Sequence, residues 1–198
     1  MIHIKGSDNE YKISLGSKDP ETTLSVINKD ILKFIKKLNG EEEEESFAYI
    51  HEAAKIAEYS SCLRSKCGSV IVNGNKIIGK GFNSPPLNKT IDHCFKDNLP
   101  EDFKSDKTCC VHAEQRAVMD ALRNNPEEIA DSRIYFIRLD QYGSVKKSGQ
   151  PYCTICSKLV LDVGIAEFAL WHDDGIYVYN TEEYNRLSFQ FRSSNIIK

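Results

Sequence analysis

Two short stretches of this 198-residue chain carry side chains able to hold a metal and move protons: His112-Ala113-Glu114 and Cys153-Thr154-Ile155-Cys156. Each lies where the hydrophobic pattern predicts the start of a helix. Backbone N–H groups at a helix start lack partners within the helix and the dipole end there is positive, so a thiolate is favoured and its pKa falls. One histidine and two cysteines are ligands that zinc accepts. As three ligands they leave the fourth tetrahedral position to water, as catalytic sites do and closed structural sites do not. Water held in this way ionises near neutral pH and becomes a nucleophile. Glu114 lies two positions beyond His112, poorly placed to share its ligand direction, so its longer side chain is read as the carrier of protons. Plainer readings stay open at this point: His112 caps a helix while the cysteines are buried, the pair belongs to a closed zinc knuckle, or a lone C-x-x-C is redox-active.

The elements that must position these residues follow from periodicity. Phe47, Ile50, Ala54 and Ala57 mark a helix, and Ser69 to Val72 a short apolar strand. Asn73-Gly74 is a hairpin turn leading into a strand over Lys76 to Phe82. A polar connection from Ser84 to Lys107, with Pro85, Pro86 and Pro100, is too long for a plain link and needs something to hold it. Then come a helix from about Cys110 to Arg123, a strand from Arg133 to Leu139, and a helix from about Thr154 to Asp162. A strand over Ala166 to Leu170, a last strand over Ile176 to Tyr179 and a short helix over Glu182 to Leu187 end the pattern. Alternating strands and helices predict a three-layer α/β arrangement, with helices packed on a mostly parallel sheet.

Residues 1 to 45 read as an N-terminal extension. Ile2 to Ile4 and Tyr11 to Leu15 alternate around Gly6 to Asn9 as a hairpin would. Leu24, Ile27, Ile31, Ile35 and Leu38 follow at helical spacing, with Asn39-Gly40 as the stop. The acidic run Glu41 to Glu45 reads as a solvated linker or a helix first turn, with a partner-binding patch as the other reading.

Composition narrows the class. Apolar residues at 40% and no stretch approaching a membrane span point to a soluble domain without a membrane partner. Met1 to Tyr11 lacks the pattern of a secretory signal, so a cytoplasmic location is expected. Seven cysteines in such a chain read as thiols and metal ligands rather than as a disulfide framework. A net charge of -3 gives no basic footprint for nucleic acid, but leaves room for a small anionic substrate.

His112 to Val118, read H-A-E-Q-R-A-V, together with G-S-V-I-V from Gly68 and G-K-G-F-N-S-P from Gly79, resembles the cytidine deaminase superfamily, nearest its deoxycytidylate deaminase branch. The resemblance covers roughly residues 47 to 172 within a domain read as 46 to 198. It implies a cytidine deaminase-like α/β/α fold on a five-stranded sheet, a homo-oligomer, and zinc as cofactor on His112, Cys153 and Cys156. It also implies hydrolytic conversion of deoxycytidylate, a pyrimidine nucleotide, to deoxyuridylate and ammonia. Such a reaction needs a proton taken from water, one given to the ring nitrogen and one to the departing ammonia, and one mobile carboxylate, Glu114, can perform all three. The resemblance further places Asn83 at the sugar and the backbone of Ala113 at the base. Against these roles, Asn83 before prolines is also an ordinary turn residue.

The chain departs from the pattern in one place. The family puts proline directly before the first cysteine of the pair, whereas Tyr152 stands between Pro151 and Cys153. The interval of 41 positions from His112 to Cys153 is also long, with extra residues around Asn124 to Ala130 and Gln141 to Ser148. Tyr152 is read as packing, with stacking on a base as the other option. Cys62, His93, Cys94, Cys109 and Cys110 remain, and relatives that carry a structural metal suggest that four of them close a second zinc site pinning the long loop. Free thiols are the competing reading, and Cys67 is read as a core residue. His172 after its strand is read as packing. Two other functions are carried beside the first. A polynucleotide base deaminase would gather Arg64, Lys66, Lys80, Arg116, Lys146 and Lys147 around the pocket, and a non-catalytic zinc module would have no need of Glu114.

Overall fold

A computed structural model describes residues 2–6, 9–13, 34–100, 109–140 and 142–191. The chain divides into two units, Met1–Ile35 and Lys36–Lys198. The first contains an antiparallel hairpin of β1 (Ile2–Gly6) and β2 (Asn9–Ile13), in register from Ile2 opposite Ile13 to Gly6 opposite Asn9. Of the helix expected over residues 21 to 38, positions 21–33 lie outside the described residues. Ile35–Lys37 forms a strand, β3, instead of a last helical turn. Sheet pairing overrides the local period there, as the Leu38 N–H donating to the Ile176 carbonyl at 2.9 Å shows.

The second unit runs α1 (Gly40–Ala57), β4 (Lys66–Asn73), β5 (Lys76–Phe82), α2 (Ala113–Asn124), β6 (Arg133–Leu139), β7 (Val145–Lys146), α3 (Thr154–Asp162), β8 (Glu167–His172), β9 (Gly175–Asn180) and α4 (Thr181–Ser188). The strand order is β3-β9-β8-β6-β4-β5, with β7 added on β6. The three-layer α/β class holds. The sheet itself is larger than five strands and is not mostly parallel: β4 pairs antiparallel with β5 and β6, β8 with β9, and β7 with β6, while β6 and β8 alone are shown parallel. The connections explain the correction. Two-residue turns at Gly74-Asn75 and Asp173-Asp174 force neighbouring strands to antiparallel, whereas the β6-to-β8 crossover carries α3 and returns the chain in the same direction. Gly74, at φ 55°, supplies the left-handed residue that such a turn needs.

Each face of the sheet carries its own core. On one, Ile50 and Ala53 of α1 pack with Val70, Val72, Ile137, Ala169, Ile176 and Val178. Full burial of one such isoleucine contributes about 1.5–3 kcal/mol. The acidic run lies inside α1, with Glu41, Glu42 and Glu43 in the first turn and Lys55 in the last, charges that suit the two ends of the dipole. On the other face α2 lies directly on β5. A Cβ at Gly79 or Gly81 would run into the backbone of Ala117 and Ala113, so glycine is what lets this helix approach. Gly68 does the same for α1, facing the Ala53 carbonyl. Beyond α2, Phe168 stacks on Tyr184 of α4 with ring centroids 3.9 Å apart.

Because the obstruction at Gly68 is main chain, Gly68→Ala is expected to destabilise the unit by about 1–3 kcal/mol, read as a lower urea midpoint with an unchanged slope. Gly74 faces open space, so Gly74→Asn is expected to leave the midpoint nearly unmoved.

Candidate active site

The site forms where β5 and β6 hand the chain to helices. β5 and β6 are both antiparallel to β4, so they run the same way and their C-terminal ends lie at one end of the sheet, with the start of β4 between them. After β5, Ser84 and Val111 pair through their main chains at 2.9 and 3.3 Å, which brings the chain back from the long loop to its starting point. His112 follows in extended conformation as the residue before α2, its N–H donating to Gln115 Oε1 at 3.0 Å. Cys153 has the same position before α3, and its Sγ accepts from the Cys156 N–H at 3.5 Å.

His112 Nδ1 lies 3.1 Å from Cys156 Sγ and 3.4 Å from Cys153 Sγ. All three atoms fall within 4.8 Å of one another, and among the described residues no other group of three or more such donors does so. Both cysteines are buried and His112 is partly so. The geometry and the donor chemistry fit Zn2+. The charges belong to the cluster as a whole. The Cys156 thiol and the His112 ring, both hydrogen-bonding to Cys153, hold its thiol down at about 4 against its burial. Cys156 is pushed far up, first by that thiolate and then by burial. His112 is raised, first by its hydrogen bond to Cys153.

Glu114 sits in the first turn of α2 at 3% exposure, with its carboxyl beside Cys156. Burial, and next the Cys153 thiolate, raise its pKa. Ala113, between the two, is fully buried. Asn83 is nearly buried and its amide is largely committed. Oδ1 accepts from the Cys67 N–H at 2.7 Å and Ser60 Oγ at 2.8 Å, and Nδ2 donates to the Ser65 carbonyl at 2.9 Å. It therefore ties together three segments at the mouth of the site, with one N–H left over. Tyr152 packs against Phe191 and accepts a hydrogen bond from Arg138 at 2.8 Å. His172 packs among Tyr177 and Tyr179, with Nε2 2.9 Å from the Tyr179 hydroxyl.

The other cysteines gather only in part. Cys94 and Cys109 lie 2.7 Å apart, and Cys110 makes contacts to both Cys62 and Cys109. The four thiols thus form a string, not a compact set. His93 is drawn to Phe95, its ring edge-on at 5.6 Å. Of the basic residues, Arg64 pairs with Asp97, Arg116 donates to the Pro85 carbonyl at 3.1 Å, and Lys147 pairs with Asp173 at 3.2 Å. Two residues escaped the sequence reading. Gln115 was visible as the fourth position of a capping box begun by His112. Arg138 was visible as a charge within the apolar run from Ile134 to Leu139.

Comparison with known proteins agrees with this arrangement. The family model described as the cytidine and deoxycytidylate deaminase zinc-binding region matches residues 43–171. The deoxycytidylate deaminase of Saccharomyces cerevisiae is 29% identical over 120 residues, covering 58% of this chain and 33% of that protein. This chain therefore corresponds to about a third of the yeast protein's length. The deoxycytidylate deaminase of Mycobacterium phage D29 is 31% identical over 121 residues, covering 57% of this chain and 83% of the phage protein. The dCMP deaminase of cyanophage S-TIM5, solved with dCMP and dUMP, superposes with a TM-score of 0.46 at 24% identity, over 63% of this chain and 79% of that one. No helix of the described residues is long and apolar enough to cross a membrane. With the family model spanning most of the second unit and the donor cluster inside that span, the chain belongs to the cytidine and deoxycytidylate deaminase zinc-binding family.

Proposed function

We propose that this chain hydrolytically deaminates a cytosine nucleotide, converting deoxycytidylate to deoxyuridylate with release of ammonia. The observation that carries the reading is a buried carboxylate, Glu114, touching a His-Cys-Cys donor set at two adjacent helix starts. Deoxycytidylate deaminases among the similar proteins support the choice of substrate.

His112, Cys153 and Cys156 are the residues that would hold zinc, which supplies a Lewis acid and lowers the pKa of water. The remaining work is proton transfer. Replacing an amino group by oxygen takes one proton from water, places one on the ring nitrogen and gives one to the leaving ammonia. Glu114 is placed for all three transfers. Burial raises its affinity for a proton, so it can hold one between steps, and its position on the first turn of a rigid helix fixes where that proton is delivered. The Cys153 thiolate beside it works in the same direction. Asn83, locked by Cys67, Ser60 and Ser65, presents its remaining N–H from a fixed frame as the sugar contact, and Ala113 offers its main chain to the base.

We also propose that Cys62, Cys94, Cys109 and Cys110 hold a structural zinc joining the segment after α1, the long loop and the approach to α2. Their succession of contacts across those three segments supports this, and His93 drops out of the ligand set.

Glu114→Gln is expected to retain zinc and lose deamination of deoxycytidylate by about 10²–10⁴-fold; turnover near the wild-type rate would remove the assignment of proton carrier. Cys153→Ala is expected to lose the active-site metal, measured by elemental analysis, and unchanged content would refute the ligand set. For the second site, the double change Cys94→Ala with Cys109→Ala should lower zinc from about two per chain to about one, whereas His93→Ala should leave the content unaltered.

A further inference from the structure

Directly opposite Cys67 on β4 stands Arg138 on β6, and directly opposite Arg138 on the other side stands Lys146 on β7. Residues paired in this way across antiparallel strands project their side chains to the same face. That face is the one with the candidate active site, because the neighbouring Gly68 faces α1 on the reverse side. Arg138 reaches the site from within the sheet. Its guanidinium lies beside Cys67, whose N–H is held by Asn83, and one terminal nitrogen donates to the hydroxyl of Tyr152, the residue before Cys153. It thus joins the Asn83 wall of the site to the ligand-bearing loop.

Two features of this pair of cations are unusual. The Arg138 side chain is largely withdrawn from water, yet it makes no salt bridge among the described residues, and its buried Nε has no hydrogen-bond partner. Lys146 is exposed and likewise makes no salt bridge among the described residues, while its neighbour Lys147 is paired with Asp173. A guanidinium removed from water without a carboxylate is costly, and an anion brought to it removes that cost. The Tyr152 hydroxyl accepts from Arg138, which leaves its own proton to donate outward. A planar donor fork, an ammonium group and a hydroxyl are the set that binds a phosphate dianion.

We propose that Arg138, Lys146 and Tyr152 seat the phosphate of the substrate, so that the site selects a cytosine nucleoside monophosphate over the free nucleoside. This rests on the reading of the chain as a cytosine-nucleotide deaminase and adds to it the residues that choose the phosphorylated form. Lys146 belongs to the hairpin after β6, so this hairpin supplies part of the recognition.

The test uses the zinc-loaded full chain, assayed for deamination of deoxycytidylate and of deoxycytidine. Lys146→Gln, at an exposed position that does not threaten folding, is expected to raise KM for deoxycytidylate by about 3–10-fold while kcat/KM for deoxycytidine stays within about twofold of wild type. Arg138→Gln should raise KM for deoxycytidylate by about 10–100-fold, the loss of a charge-assisted contact, and by more than it raises KM for deoxycytidine. Equal losses on both substrates for Lys146→Gln, or an unmoved KM for deoxycytidylate in both variants, would overturn the phosphate seat. If the wild type deaminates neither substrate, the functional reading fails and calorimetry decides the seat separately. Deoxyuridylate and inorganic phosphate should bind the wild type and bind both variants more weakly, and equal binding by all three proteins would refute it.

Discussion

The whole site depends on how closely α2 can approach the sheet. Gly79 and Gly81 present bare backbone to Ala117 and Ala113, and this contact sets the height at which His112 and Glu114 stand above the strands. β5 and β6 run in one direction on either side of β4, so the helices that follow them start at the same end of the sheet. Ligands gather at the carboxyl ends of strands in α/β folds for this reason. Here the consequence is chemical: a histidine from one helix start comes within hydrogen-bonding distance of two cysteines from another. A side chain at either glycine would lift α2 and pull the imidazole away from the sulfurs.

Bringing these groups together has an electrostatic cost that explains the rest of the local design. Two thiols and a carboxyl group lie in contact and out of water, where like charges cannot all ionise without a cation. The His112 ring alone offsets one negative charge, and Cys156 and Glu114 are both driven toward their protonated forms. The helix starts soften the cost from outside by directing unpaired N–H groups at the sulfurs, as Cys156 does toward Cys153. A divalent ion of thiolate and imidazole preference is the complement to such a cluster. The arrangement that suits the metal is also what keeps Glu114 dry and proton-hungry.

Much of this was legible in the residues, because the strongest signals are local. Asn73-Gly74 fixes a turn wherever it occurs between strands, and β5 and β6 lie where alternation placed them. The motif H-A-E with C-T-I-C marked the metal site because few other arrangements need those types at helix starts. What escaped depends on partners distant in sequence. The helical spacing of Ile31, Ile35 and Leu38 gave no hint that Ile35–Lys37 would join a sheet edge, which β9 decides. The parallel bias came from counting alternating elements, while pairing is set by whether a connection is a tight turn or a crossover. Cys94 and Cys109 are 15 positions apart and meet through a loop whose path no periodicity describes. His93 next to Cys94 looked equally eligible as a ligand, and its ring packs edge-on against Phe95.

The segment between β6 and α3 follows a physical logic of its own. Its residues leave the sheet at Asp140, turn through Gly143 and come back along β6 as β7, with the Asp140 carboxylate accepting from the Tyr142 and Ser144 N–H groups. The return is then pinned twice: the Ser148 hydroxyl donates to the Phe136 carbonyl at 3.0 Å, and its N–H to the Trp171 carbonyl at 2.8 Å. A segment anchored at both ends leaves the start of α3 undisturbed, so Cys153 and Cys156 keep their approach to His112. Because β7 lies directly beside Arg138, Lys146 falls on the face of the site while Val145 turns to the α1 core.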